Sequence, residues 1–226
     1  MDSGETHPQH SPPSRGLWSL LSLNWLSLLF QVYERLGQFL WGSQLHTGIY
    51  EILKYEATLE LLDPKGQTAI FKKQLRVKFL QDYVIAFQDH AWGDGEIMAG
   101  YSCSPGVAVD RYRVGDRWDI LISLRETKSR GEVQEFHIER KIKRGFTKTE
   151  GWWQLEMYHQ TDWLKCTVIF PKKRFCRRAV LLEKVRNRST ILDASFLEEL
   201  PDGRQQLIWE NQNPKRFETY TIKWRW

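Results

Sequence analysis

The chain has only three cysteines in 226 residues, too few for a disulfide framework. That scarcity points to a reducing compartment, and a cytoplasmic protein is expected. No run of eighteen or more clean apolar residues is present, which excludes a multi-span membrane protein. The short motifs of common chemistries are also missing. There is no G-x-S-x-G elbow, no phosphate-cradling glycine loop and no H-E-x-x-H. No cofactor and no resident metal are therefore expected, and a binding module is favoured over an enzyme. Strands alternating with helices in βαβ units are absent as well, which argues against a parallel α/β sheet.

What is present is apolar residues at 41%, charged residues at 27% and eleven tryptophans, a balance that excludes wholesale disorder. The net charge of +5 is uneven. Residues 140–190 hold 14 Lys+Arg against 4 Asp+Glu, a local balance of +10; the rest holds 19 against 24. Such asymmetry suggests one face that meets anions. The plainer reading is a set of outward strand positions that keep edges soluble.

Residues 1–15 are polar and proline-rich and read as a disordered tail. Over residues 16–42 the period becomes helical. Trp18, Leu21, Trp25, Leu28, Leu29, Val32, Leu36 and Phe39 share one side, with Asn24, Ser27, Gln31, Glu34, Arg35 and Gln38 opposite. Ser14 suits an N-cap and Gly42 a stop. A span needs about twenty apolar residues, more than this stretch offers. Residues 17–41 are expected to dock on a partner protein, on the chain's own domain or on a membrane surface.

From residue 45 to 226 the pattern is β. Tyr55, Ala57, Leu59 and Leu61 alternate with polar residues, as do Leu75, Val77 and Phe79. Further strands are read around Tyr83 to Phe87, Glu96 to Ser102, Trp118 to Leu124, Phe136 to Ile142, Trp153 to Met157 and Leu164 to Phe170. Ala179 to Val185, Leu207 to Glu210 and Tyr220 to Trp226 complete the set. Asp63-Pro64-Lys65-Gly66 reads as a turn, and Lys128-Ser129-Arg130-Gly131 as a hairpin connection. Only Ala194 to Leu200 offers a second helix. The expectation is a single mainly β domain: an antiparallel β-sandwich or barrel of about ten short strands.

Two segments carry candidate chemistry. Lys172, Lys173, Arg174, Phe175, Arg177 and Arg178, joined by Arg186 and Arg188, form the densest basic run. Arginine clamps phosphates and Phe175 offers a stacking ring, so an anionic ligand is expected: a nucleotide, a nucleic acid or a lipid head group. Cys176 lies amid these charges, which would lower its pKa if it were exposed. The second segment is a loop from Gln88 to Gly95 with Asp89, His90, Asp94 and nearby Glu96. Converging oxygen ligands there would suit a metal-assisted hydrolase; the plainer reading is a solvated turn. A third reading is a structural subunit of a larger complex. In plan, an apolar helix ahead of a β-rich domain is similar to some bacterial membrane-linked defence effectors, whose β domain senses a nucleotide. That resemblance implies a nucleotide ligand and transfers no particular residue.

Overall fold

The computed structural model describes residues 48–226. The expected tail and the amphipathic helix, with Trp18, Leu21, Trp25, Leu28, Leu29, Val32, Leu36 and Phe39, lie outside the described residues. Fourteen strands follow one another: β1 (Tyr50–Leu61), β2 (Thr68–Phe79), β3 (Val84–Ala91), β4 (Glu96–Ser104), β5 (Val107–Val114), β6 (Arg117–Lys128) and β7 (Val133–Lys143). Then come β8 (Glu150–Glu156), β9 (Trp163–Phe170), β10 (Arg178–Glu183), β11 (Arg188–Leu192), β12 (Leu197–Glu199), β13 (Gln205–Gln212) and β14 (Thr219–Arg225). The domain is mainly β, as its alternation implies.

The strands form three sheets, with orders β12-β13-β9-β1-β2-β7-β4, β11-β10-β14-β8 and β3-β6-β5. None closes, so no barrel is present among the described residues. The large sheet is not wholly antiparallel, because central β1 runs parallel to β9. One face of it is largely apolar: Leu59, Phe71, Phe136, Val168 and Leu207 are all buried. A register shift between Ile52 and Lys54 lets both Ile52 and Tyr55 turn inward.

Aromatic contacts show what covers that face. Phe71 meets Trp153 edge-on at 5.7 Å, and Phe170 meets Trp224 at 5.8 Å, so the four-stranded sheet lies over one part. Phe87 stacks on Phe136 at 4.5 Å, which places the three-stranded sheet over another. Burial of such rings, at about 25 cal/mol per Å² of apolar area, drives the layering.

Several sequence expectations change. The Lys128–Gly131 connection does not return into a paired hairpin: β6 belongs with β3 and β5, whereas β7 pairs with β2 and β4. The expected helix from Ala194 is a three-residue 3-10 turn, Ala194–Phe196, followed by β12. β5 is a strand that the alternation does not announce, because nearly every residue of it is exposed and no apolar period marks it. The Asp63–Gly66 turn forms as expected, with the Asp63 carboxylate accepting from the backbone N–H groups of Lys65, Gln67 and Thr68. Gly66 has φ 67°, and a Cβ there would sit 1.9 Å from the Phe146 carbonyl oxygen.

Candidate functional site

Lys172 to Arg178 lie at one end of β10, and Arg186 and Arg188 beyond the other. Lys172 and Lys173 are exposed on the connection from β9 to β10. Arg174 is spent on structure: its guanidinium lies 3.7 Å from the Trp226 ring centre and donates to the carbonyls of Pro64 and Lys148. Phe175 is half exposed. Arg177 and Arg178 flank the start of β10, whereas Arg186 and Arg188 lie past its far end and both bind the buried Glu183 carboxylate. Six residues of strand separate the two groups by about 17 Å.

The pairing of β10 with β14 and β8 brings residues distant in the chain onto one face. On the solvent side of this sheet, cross-strand rows run Arg178–Arg225–Glu150, Val180–Lys223–Trp152 and Leu182–Thr221–Gln154. The alternate positions Ala179, Leu181, Ile222, Trp224 and Trp153 are buried beneath. Two hollows of about 530 and 520 Å³ share Trp152, Leu182, Ser189 and Lys223 as walls. Lys184 and Arg188 border one, Arg178 and Arg225 the other. Glu150 answers Arg225, and Glu183 is withdrawn below the surface with Arg186 and Arg188. Among the described residues, no ion pair engages Arg178, Lys184 or Lys223. The wet face of the large sheet is different. Its trough of about 570 Å³ sets Lys72 and Lys165 against Glu56 and Glu139, with Lys72 and Glu139 3.9 Å apart. The outer face of the four-stranded sheet instead sets Arg178, Lys223 and Arg225 around Trp152, with Glu150 at its margin.

The alternative reading of a metal loop finds its residues dispersed. Asp89 and His90 belong to β3, and the connection to β4 is only residues 92–95. Asp89 is buried against Lys73; His90 Nδ1 lies 2.7 Å from Asp119 Oδ1. Asp94 pairs with Lys148 and Glu96 with Lys143 at the surface. Among the described residues, no group of three or more His, Cys, Asp or Glu side chains is arranged to hold a metal ion. Consecutive strand residues point to opposite faces, so Asp89 and His90 diverge.

Where the three sheets meet lies a polar cluster that sequence reasoning did not find. Lys73, Asp89 and Arg140 sit on otherwise apolar strand faces and are 6%, 2% and 4% exposed. Lys73 Nζ donates to one Asp89 oxygen, and the Tyr101 hydroxyl donates to the other at 2.9 Å. Burial alone would raise the Asp89 carboxyl, but the Lys73 ammonium, with Arg140 and His90 nearby, outweighs it and holds the group below its usual range. Burial pulls Lys73 and Arg140 down, with Asp89 opposing in both. The Arg140 guanidinium lies 4.2 Å from the Phe71 ring centre. Its Nε and Nη1 are buried without a hydrogen-bond partner. The signal in the sequence was present but faint: Lys73 and Arg140 each occupy an apolar phase of their strands.

A small cavity of about 50 Å³ adjoins this cluster. Aromatic rings of Tyr50, Tyr55, Phe71 and Phe87 form its walls, and half-buried His90, Trp92, Gln154, Glu156 and Tyr158 lie on its lining as well. Behind this lining Arg117 donates to Asp119 and to the Tyr158 hydroxyl.

None of the three thiols has its pKa lowered by its surroundings. Cys166 is fully buried on the core face, as its phase suggested. Cys176 is also buried, and burial pushes its thiol up to about 11, against a smaller opposing effect of the Arg178 backbone N–H. Its arginine neighbours thus do not activate it, contrary to the expectation for an exposed thiol. Cys103 is half-buried and also raised, chiefly by burial. In a thiol titration of the native protein at about pH 8, Cys103 is expected to react first and slowly, and Cys166 and Cys176 only after unfolding. Rapid native release of two thiols would contradict this placement.

No family model and no curated protein matches the chain. It is similar to a solved structure of an M1 zinc metallopeptidase from Deinococcus radiodurans, at 10% identity and a TM-score of 0.46, covering 78% of this chain and 42% of that one. A substituted form of that enzyme bound to a Tyr-Ser-Ala substrate matches at 9% identity and a TM-score of 0.48, covering 76% and 42%. This chain therefore spans less than half the length of those structures, and likenesses of this strength carry no argument about its activity.

Proposed function

We propose that the β domain is a non-enzymatic binding module for a phosphate-bearing ligand that includes a base. Its site is the outer face of the four-stranded sheet, and residues 17–41 serve for docking to a membrane surface or a partner. The observation that supports this reading most directly is Trp152, set between two hollows walled by Arg178, Lys184, Arg188, Lys223 and Arg225. A half-buried ring on the sheet's outer side offers a stacking surface, and the surrounding cations meet phosphates. This face replaces part of the basic set read from the sequence. Arg178 and Arg188 stay in it, Lys223 and Arg225 join it, and Arg174 leaves it.

The test is a titration of the full chain with fluorescent single-stranded RNA, with a mononucleotide and with anionic vesicles. Affinity for RNA is expected to fall steeply with salt, as counterions are released. Trp152→Ala is expected to weaken binding by about five- to a hundredfold, the cost of one lost stacking contact. Lys223→Ala is expected to reduce the salt slope by about 0.7. RNA binding that ignores salt and both substitutions would reject the face. Vesicle binding that survives Trp152→Ala would assign lipid contact to residues outside it.

A further inference from the structure

The buried cluster at the junction of the three sheets has one charge too many. Lys73 and Asp89 form a hydrogen-bonded ion pair and cancel. Arg140 remains, and a guanidinium does not release its proton at any ordinary pH. It is 4% exposed, with Nε and Nη1 lacking partners, whereas buried polar groups in folded proteins are nearly always satisfied. Phe71 covers one face of the guanidinium plane but takes none of its N–H groups. The same Arg140 lines the cavity of about 50 Å³.

We propose that this cavity binds the carboxylate of a small organic acid, with the Arg140 guanidinium as its counter-charge. Size and charge select that class. One water needs about 10–15 Å³ of such space, so the cavity admits a few water-sized groups: a carboxylate and a short stem, not a nucleotide. A single negative charge neutralises the surplus on Arg140. A dianion would leave an excess beside the Asp89 carboxylate, and Glu156 on the lining, which opposes any anion, would oppose a dianion about twice as strongly. The aromatic walls of Tyr55, Phe71 and Phe87 suit an apolar stem. The cavity shares Gln154 with the sheet face proposed above but none of that face's cations, and does not depend on it.

The experiment uses the full chain and three probes: sodium acetate, sodium propionate and inorganic phosphate, each against sodium chloride at equal ionic strength. Acetate and propionate are expected to raise the thermal midpoint saturably, and chloride is not. Selective saturation of the aromatic protons is expected to transfer to the propionate methyl group in ligand-detected NMR. Arg140→Met keeps the bulk of the side chain and leaves the neutral Lys73–Asp89 pair, so it is expected to fold. Its carboxylate affinity is expected to be weaker by about tenfold or more, the loss of a charged hydrogen bond. A response equal to that of chloride, a response to phosphate alone, or one retained in Arg140→Met overturns the proposal. Absence of saturation transfer in the unaltered chain overturns it without recourse to any variant, and would leave buried water as the partner of Arg140.

Discussion

Replacing Asp89 with alanine is expected to destabilise the β domain by about 3–5 kcal/mol, the usual cost of breaking a buried ion pair from one side. The reason is the company it keeps. Lys73 and Arg140 are both buried within its field, and without the carboxylate two cations face each other in a poorly solvated junction. Tyr101 would also lose the acceptor for its hydroxyl. Urea unfolding of Asp89→Ala gives the number, and Asp89→Ala with Lys73→Met tests the cause. If the missing charge is responsible, the second change recovers much of the loss; a purely steric cavity would be enlarged and the costs would add. A loss below about 1 kcal/mol, within the range of ordinary surface changes, would show that water already screens the cluster.

The same carboxylate makes stability depend on pH. The folded-state pKa of Asp89 lies below its ordinary value of 3.8. Between those two values the unfolded chain binds the proton and the folded chain does not. Its stabilisation is therefore complete above the ordinary carboxylate range and is lost as pH falls through the folded value. Asp119 has the same sign: burial would raise it, but His90 and Arg117 hold it down. Lys73, lowered by burial, adds stability as pH rises through its own folded value toward 10.5. The unaltered domain is thus expected to weaken below about pH 4, and Asp89→Ala to show a shallower acid slope.

Trp224→Ala is expected to cost about 3–5 kcal/mol, as large aromatic truncations in cores do. Trp224 is 2% exposed and joins two sheets, meeting Phe170 edge-on and Phe146 at 5.7 Å in a stacked arrangement. It lies directly over Gly151, where an added Cβ would come 2.5 Å from the indole. Two controls separate packing from polarity. Trp224 Nε1 is buried without a partner, so Trp224→Phe removes an unsatisfied donor and is expected to cost far less than alanine. Gly151→Ala pushes on the ring from the other strand and is expected to destabilise by about 1–3 kcal/mol through overpacking. Equal losses in the alanine and phenylalanine variants of Trp224 would remove the packing explanation.

How much of this was legible beforehand depends on the kind of information involved. Alternation such as Tyr220, Ile222, Trp224 and Trp226 against Thr221, Lys223 and Arg225 is a local property, and it predicted both the strand and its buried side. Strands without alternation, such as β5, left no trace because both of their sides are wet. The candidate sites were harder. Lys172 to Arg178 looks like a cluster because charges adjacent in a chain are easy to count. Adjacency in sequence says nothing about which guanidinium is spent holding a carbonyl, as that of Arg174 is.

From residue order alone came the β character, the turn at Asp63–Gly66, the buried phase of most strands and the excess of positive charge in one stretch. These follow from side-chain polarity at a spacing of two, a property each strand carries by itself. Only tertiary structure decided that β1 lies parallel to β9 and that β6 and β7 part into different sheets. It likewise set Lys223 beside Val180 and drew Lys73, Asp89 and Arg140 from three strands into one interior. Strand pairing joins residues far apart in the chain, and the choice among pairings rests on which buried faces fit together, a quantity no single segment contains.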